Sequence, residues 1–266
     1  MEIAGYIAAA FIGLSLGLIG GGGSILTVPI MVYLFGLNPL LATSYSLFVV
    51  GSTSLVGAVK NYLEGMVNIK AAFYFGAASI VTVFLTRKFV VPAIPGELGT
   101  IAGFTISLSL LTMLLFAVLM IAASFSMIRG NPVSDHEKEG PACMRFFKLL
   151  GYGVAIGLIA GILGAGGGFL LIPALVLLVK LPMKKAVGTS LMIIAFNSLL
   201  GFAGDLGHFT VDWPFLTVLT SIAIAGIFIG TIIGRRLHSG KLKKGFGWFV
   251  LIIGIYIIYK EVAGTV

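Results

Sequence analysis

From Gly99 to Ile128 the chain runs without one charged side chain. A helix needs roughly 20 apolar residues to cross the hydrocarbon core of a bilayer, and this stretch exceeds that. Similar runs fill the rest of the sequence. They lie at Ile3–Ile19, Ser24–Phe35, Leu41–Val59, Ile69–Val90 and Gly99–Ile128, then at Phe146–Leu163, Gly168–Val179, Ala186–Gly204, Val211–Ile233 and Phe246–Tyr259. Composition excludes the alternatives. The chain is 59% hydrophobic and 10% charged, and its mean hydropathy is +1.14. A soluble domain is nearer half apolar and a quarter charged, so a soluble enzyme of this length could not hide so much apolar surface. Disorder requires the opposite balance, and the 37 glycines follow no collagen period. The expected fold class is all-α, a multi-pass protein of the cell membrane with the lipid bilayer as its solvent.

The net charge of +8 does not indicate nucleic acid, because the basic residues fall between apolar runs, where they set topology. The single Cys143 excludes an internal disulfide framework and a cysteine metal cluster. The first segment has no basic leader and no cleavage pattern, so it reads as a retained membrane segment. No phosphate-binding loop is present. His136, His208 and His238 show no ligand spacing. No cofactor is implied, and no arrangement of nucleophile, base and orienting group suggests an enzyme.

The sequence repeats. Gly13 to Pro29 aligns without gaps to Gly157 to Pro173, with eight of seventeen pairs identical, among them Gly20/Gly164, Gly22/Gly166, Gly23/Gly167 and Pro29/Pro173. Two residues of shift later, Ala42-Thr43-Ser44 falls on Gly188-Thr189-Ser190. The expected organisation is a first membrane repeat over 1–128, a cytoplasmic linker over 129–145, rich in Pro, Gly and mixed charge, and a second membrane repeat over 146–266. Loop charge predicts that the halves are inverted. The loop Gly36–Leu40 is uncharged where its counterpart carries Lys180, Lys184 and Lys185, whereas Lys60 and Lys70 correspond to a loop with Asp205 and Asp212. Basic loops favour the cytoplasm, so equivalent loops lie on opposite sides, with both termini outside. Arg87 and Lys88 then fall near the outer face, against the rule.

Ser24–Phe35 and Gly168–Val179 are too short to cross, and each follows a glycine cluster. They read as broken or re-entrant helices, bent or ended by Pro29 and Pro173. The first amides of a helix lack internal partners and carry the positive end of the helix dipole. Two such ends meeting near the midplane would hold an anion without lysine or arginine. Candidate substrate-binding residues are Gly20, Gly21, Gly22, Gly23 and Ser24 in the first half, and Gly164, Gly166, Gly167 and Gly168 in the second. The competing reading is that these glycines only allow helices to approach closely. Thr43, Ser44, Thr189 and Ser190 open the next helix of each half. They serve as hydroxyl donors to an oxyanion or bond back to the local backbone. Asn197 contacts either substrate or a neighbouring helix. Asp205 and His208, at the outer end of the eighth segment, are proton-coupling candidates or solvated loop residues.

At these positions the sequence resembles the sulfite exporter TauE/SafE family. The resemblance is carried by Gly17–Ser24 through Pro29, Ala42-Thr43-Ser44, Gly161–Gly168 through Pro173, Gly188-Thr189-Ser190 and Asn197–Phe202. The tail Val211–Trp213 and Gly226–Gly234 with Arg235–Leu237 also fits. It implies a secondary transporter of small sulfur-containing anions such as sulfite, sulfonates or sulfoacetate, acting as an exporter; with the paired helix ends, the expected mode is alternating access around a site between the repeats. The partners expected are a small anionic substrate and the bilayer, and a homo-oligomer is compatible with the sequence. An anion channel and a scaffold subunit without transport are the alternatives.

Overall fold

The computed structural model describes residues 2–95, 97–101, 104–129, 142–164, 166–177, 179, 181–208, 210–234 and 239–263. Helix α1 (Glu2–Ile19) ends at Gly20, whose φ of 77° suits a residue without a β-carbon. A three-residue 3₁₀ turn, Gly21–Gly23, leads into α2 (Ser24–Tyr33), which folds back so that Gly23 lies against Ile12 and Leu16. Pro29 sits inside α2 rather than at its end.

Helix α3 (Pro39–Leu63) starts where the Asn38 side chain accepts from the Leu40 N–H, with Pro39 in the first turn. It ends at Gly65, whose φ is 70°. The Met66 N–H reaches the Asn61 carbonyl and the Gly65 N–H the Tyr62 carbonyl, a glycine-terminated helix end. Asn68 caps α4 (Ile69–Leu85) through the Ala71 N–H. A π-helical turn, Thr86–Val90, joins α4 to the short α5 (Val91–Ala93).

The second half contains α7 (Ala142–Leu163), α8 (Gly168–Leu177), α9 (Met183–Asp205), α10 (Trp213–Gly234) and α11 (Ser239–Ala263). The first half closes with α6, Leu108–Arg129. Among the described residues, five helices are long and apolar enough to cross a membrane: Pro39–Leu63, Ile69–Ala93, Leu108–Phe125, Lys184–Asp205 and Trp213–Ile233. Large apolar side chains such as Phe73, Ile252 and Tyr259 point outward, as lipid contact requires. The chain is an integral membrane protein.

Helix α3 lies against α9, α1 against α10, α4 against α7 and α6 against α11. Exchanging the first-half helices α1, α2, α3, α4 and α6 for α7, α8, α9, α10 and α11 leaves this set of pairs unchanged. Glycines set the close approaches. Gly13 and Gly17 of α1 meet Ala223 and Ile227 of α10, so those helices run parallel. Gly153, Gly157 and Gly161 of α7 meet Phe75, Ser79 and Thr86, so α7 runs parallel to the α4 segment. By contrast, α3 and α9 are antiparallel: Gly51 abuts Ser198 and Leu199, while Gly201 abuts Leu47. Without a hydrophobic drive between helices in lipid, small residues bring backbones within dispersion range.

Three expectations are corrected. The segment expected from Gly99 becomes helical only at Leu108, because Glu97–Ile101 and Phe104–Ser107 form a short antiparallel hairpin, β1 and β2, in an otherwise helical protein. Thr100, Ile101, Phe104, Thr105 and Ile106 favour extended backbone, and the length of the uncharged run concealed them. Thr43, Ser44, Thr189 and Ser190 lie in the second turn of α3 and α9 rather than opening them, because Pro39 and Pro182 fix earlier starts. Helix α7 begins at Ala142, four residues before the expected segment start at Phe146; of the expected linker 129–145, residues 130–141 lie outside the described residues.

Candidate functional site

The two glycine clusters meet. A β-carbon on Gly21 would overlap the Gly168 backbone, and one on Gly168 would overlap Gly21. Gly164 and Gly166 have φ of 66° and 63° and lie against Thr43 and against Ser198 with Ile194. Gly20 meets Val187 of α9, and Gly167 meets Ala160. Close approach is therefore a role the glycines do fill. Gly22 lies within the 3₁₀ turn between Gly21 and Gly23. The starts of α2 and α8 are brought together at the centre of the fold, between α3 and α9.

The hydroxyls around them are buried and engaged. Ser24 Oγ donates to the Gly21 carbonyl at 2.7 Å, Thr43 Oγ1 to the Leu40 carbonyl at 2.7 Å, and Ser190 Oγ to the Val187 carbonyl at 2.9 Å. Thr189 Oγ1 accepts the Asn68 N–H at 2.9 Å, tying the α3–α4 turn to α9. Asn197 Nδ2 donates to Ser79 Oγ at 2.7 Å, so the amide binds a neighbouring helix, while its Oδ1 has no partner. Ser46, Thr53 and Ser54 of α3 and Ser198 of α9 also carry buried oxygens without partners. An unpaired buried polar atom costs free energy, and these cluster on the two central helices.

One group gains a partner that sequence reasoning did not foresee. Arg87, expected near the outer face, is 1% exposed and is the largest fully buried side chain among the described residues. Its Nη1 lies 3.5 Å from Oδ2 of Asp205, which is 4% exposed. Asp205 is thus no solvated loop residue; Ser44 of α3 lies close to it. Arg87 Nε and Nη2 have no partner among the described residues. The pair forms because α4 and α9 run side by side in the same direction, Ser79 meeting Asn197 and Arg87 meeting Asp205 two turns on. The signal in the sequence was the arginine inside the apolar run Ile69–Ala93, since charge within a membrane segment is costly and usually functional. His208 is exposed, and Lys88 lies outside over the Phe84 and Phe89 rings.

A cavity of about 630 Å³ lies between the end of α2, the start of α3 and the start of α10, lined in part by Tyr33, Phe35, Tyr45, Asp212 and Phe215. Tyr45 Oη accepts the Asp212 N–H at 2.8 Å at its wall. The glycine clusters do not line it.

Among known proteins, the model of the family described as sulfite exporter TauE/SafE matches residues 6–257. A "Probable membrane transporter protein" of Xylella fastidiosa (strain 9a5c) is 29% identical, covering 97% of this chain and 95% of its own. The "Probable membrane transporter protein YunE" of Bacillus subtilis (strain 168) is 25% identical, over 92% of this chain and 93% of its own. No solved structure matches.

Proposed function

The chain belongs to the sulfite exporter TauE/SafE family, and from that premise we propose that it exports small sulfur-containing anions, such as sulfite, sulfonates or sulfoacetate, by alternating access. The observation that carries this reading is the meeting of two interrupted helices, α2 and α8, at Gly21 and Gly168. Non-helical backbone at membrane depth is sheltered by protein there, and the amides at the two helix starts suit an anion. The antiparallel run of α3 beside α9, which carry the matching Thr-Ser pairs, supports an inverted relation between 1–128 and 146–266. So does the matching capping of α4 by Asn68 and of α10 by Asp212. With the clusters packed backbone to backbone, an anion reaches the amides only when the halves part.

On this reading Gly20, Gly21, Gly22, Gly23, Gly164, Gly166, Gly167 and Gly168 present the amides. Ser24, Thr43, Thr189, Ser190 and Asn197 exchange their present partners for substrate, Ser44 adds its hydroxyl, and Asp205 and His208 pass protons. The test is flux of labelled sulfite, methanesulfonate, sulfoacetate, sulfate and acetate through purified protein in liposomes, with and without a proton gradient. Saturable flux of the sulfur anions at carrier rates supports the reading. Ohmic single-channel currents, or no flux of any anion, would overturn it.

A further inference from the structure

We propose that Arg87 is a binding residue for a monovalent oxyanion, a sulfonate or carboxylate, with Asp205 as the internal counter-ion that the anion replaces. A guanidinium carries five N–H donors in a planar fork that matches an oxyanion through two parallel bonds. Arg87 spends only Nη1 on Asp205, at 3.5 Å, while Nε and Nη2 are buried without partners among the described residues. Two open donors on the buried side of an arginine are what a two-oxygen ligand needs. A pair kept only for packing would satisfy them, because leaving them bare is costly.

The surroundings connect this group to the glycine site. Arg87 lies in the π-helical turn Thr86–Val90, a form often found at functional positions. Its neighbour Thr86 packs on Gly161, one turn before the second glycine cluster, and Gly164 packs on Thr43 beside Ser44. Ser44 in turn lies close to Asp205. Asp205 stands seven residues beyond Ser198 on α9, about 10 Å along the helix, within half of a hydrocarbon core about 30 Å thick.

Charge balance sets how the site works. Arg87 and Asp205 together are neutral. An anion arriving beside an ionised Asp205 would leave one negative charge buried, which a low-dielectric interior opposes. Neutrality is kept when Asp205 takes one proton from solvent for each monovalent anion bound. The other charged or titratable groups that face Asp205 are Arg87 from the π turn and His208 from the turn after α9; α3 contributes the neutral Ser44. The inference rests on the transport reading for its purpose, but not for its test.

The experiment is equilibrium binding of radiolabelled methanesulfonate, which does not titrate near neutral pH, and of sulfite to the full chain in lipid nanodiscs. Arg87→Gln should weaken binding at least tenfold, and Arg87→Lys should weaken it less, since lysine keeps the charge and loses the fork. Asp205→Asn should bind at least as tightly as the parent protein, without pH dependence. In the parent, affinity for methanesulfonate should fall by up to about tenfold per pH unit on the alkaline side of the Asp205 titration. The neutral double variant Arg87→Gln/Asp205→Asn keeps a matched pair, folds, and should not bind.

A purely structural pair predicts the reverse: single variants that weaken binding together and a double variant that restores it. That result, parent-like binding by folded Arg87→Gln, or no binding of either probe to the parent would overturn the inference. Liposome flux separates the two ideas. Flux retained in an Arg87 variant removes Arg87 and leaves transport standing. Arg87-dependent binding without any flux leaves the site standing and removes transport.

Discussion

Gly21 and Gly168 touch backbone to backbone, one from each interrupted helix, with no room for a β-carbon on either. That contact joins the halves at their centre, so it is sensitive to the smallest side chain. Gly21→Ala should destabilise the folded protein by about 1–3 kcal/mol through overpacking and reduce flux. Gly168→Leu should abolish flux. Thermal unfolding in detergent together with vesicle uptake checks both; unchanged stability and flux in Gly21→Ala would contradict the geometry.

Thr189 is the acceptor for the Asn68 N–H at the start of α4. Thr189→Val keeps the shape and removes the oxygen, leaving that donor unpaired at a cost of about 1–3 kcal/mol. Thr189→Ser should restore most of the loss. The readout is the melting temperature of the three proteins; equal values would show that the loop finds another acceptor.

Much of this was legible in advance. The short helices starting at Ser24 and Gly168 follow from local features, a glycine cluster and a run too short to cross, and both start where composition changes. The bond from Thr43 to Leu40 is also local, the ordinary alternative for a helical hydroxyl. The Arg87–Asp205 pair was not legible. Its members are 118 positions apart, and nothing in either segment alone states that α4 and α9 run side by side in one register. Arg87 looked like a boundary residue because the run containing it continues to Ala93 through a π turn that no residue pattern marks.

Asn197 and Ser79 form a buried side-chain bond between α9 and α4. Interhelical bonds in membrane proteins contribute about 0.6 kcal/mol on average and about 1.7 at most. A double-mutant cycle with Asn197→Ala and Ser79→Ala should return a coupling in that range. A coupling indistinguishable from zero would show that the two side chains do not meet.

The antiparallel register of α3 and α9 is open to cross-linking. A β-carbon at Gly51 would lie 3.0 Å from that of Ser198, near the 3.5–4.5 Å typical of disulfides, given small backbone adjustment. In a Cys143→Ser background, Gly51→Cys/Ser198→Cys should form an intramolecular disulfide on mild oxidation, detected by gel mobility after a single engineered cleavage. Ser44→Cys/Ser198→Cys should not. The reverse pattern would overturn the register.

Counted from the matched Thr43 and Thr189, Asp205 falls on Val59; counted from the matched caps Asn68 and Asp212, Arg87 falls on Thr231. Neither carries charge, so the ion pair has no twin. A device with two like halves that swap shapes would ordinarily spend equal time in its two arrangements. On the alternating-access proposal, a single buried clasp would make those arrangements unequal: one would be held at rest, and the other reached only when Arg87 is released. The proposal thereby gives otherwise interchangeable halves a preferred resting arrangement, while net direction follows the gradients.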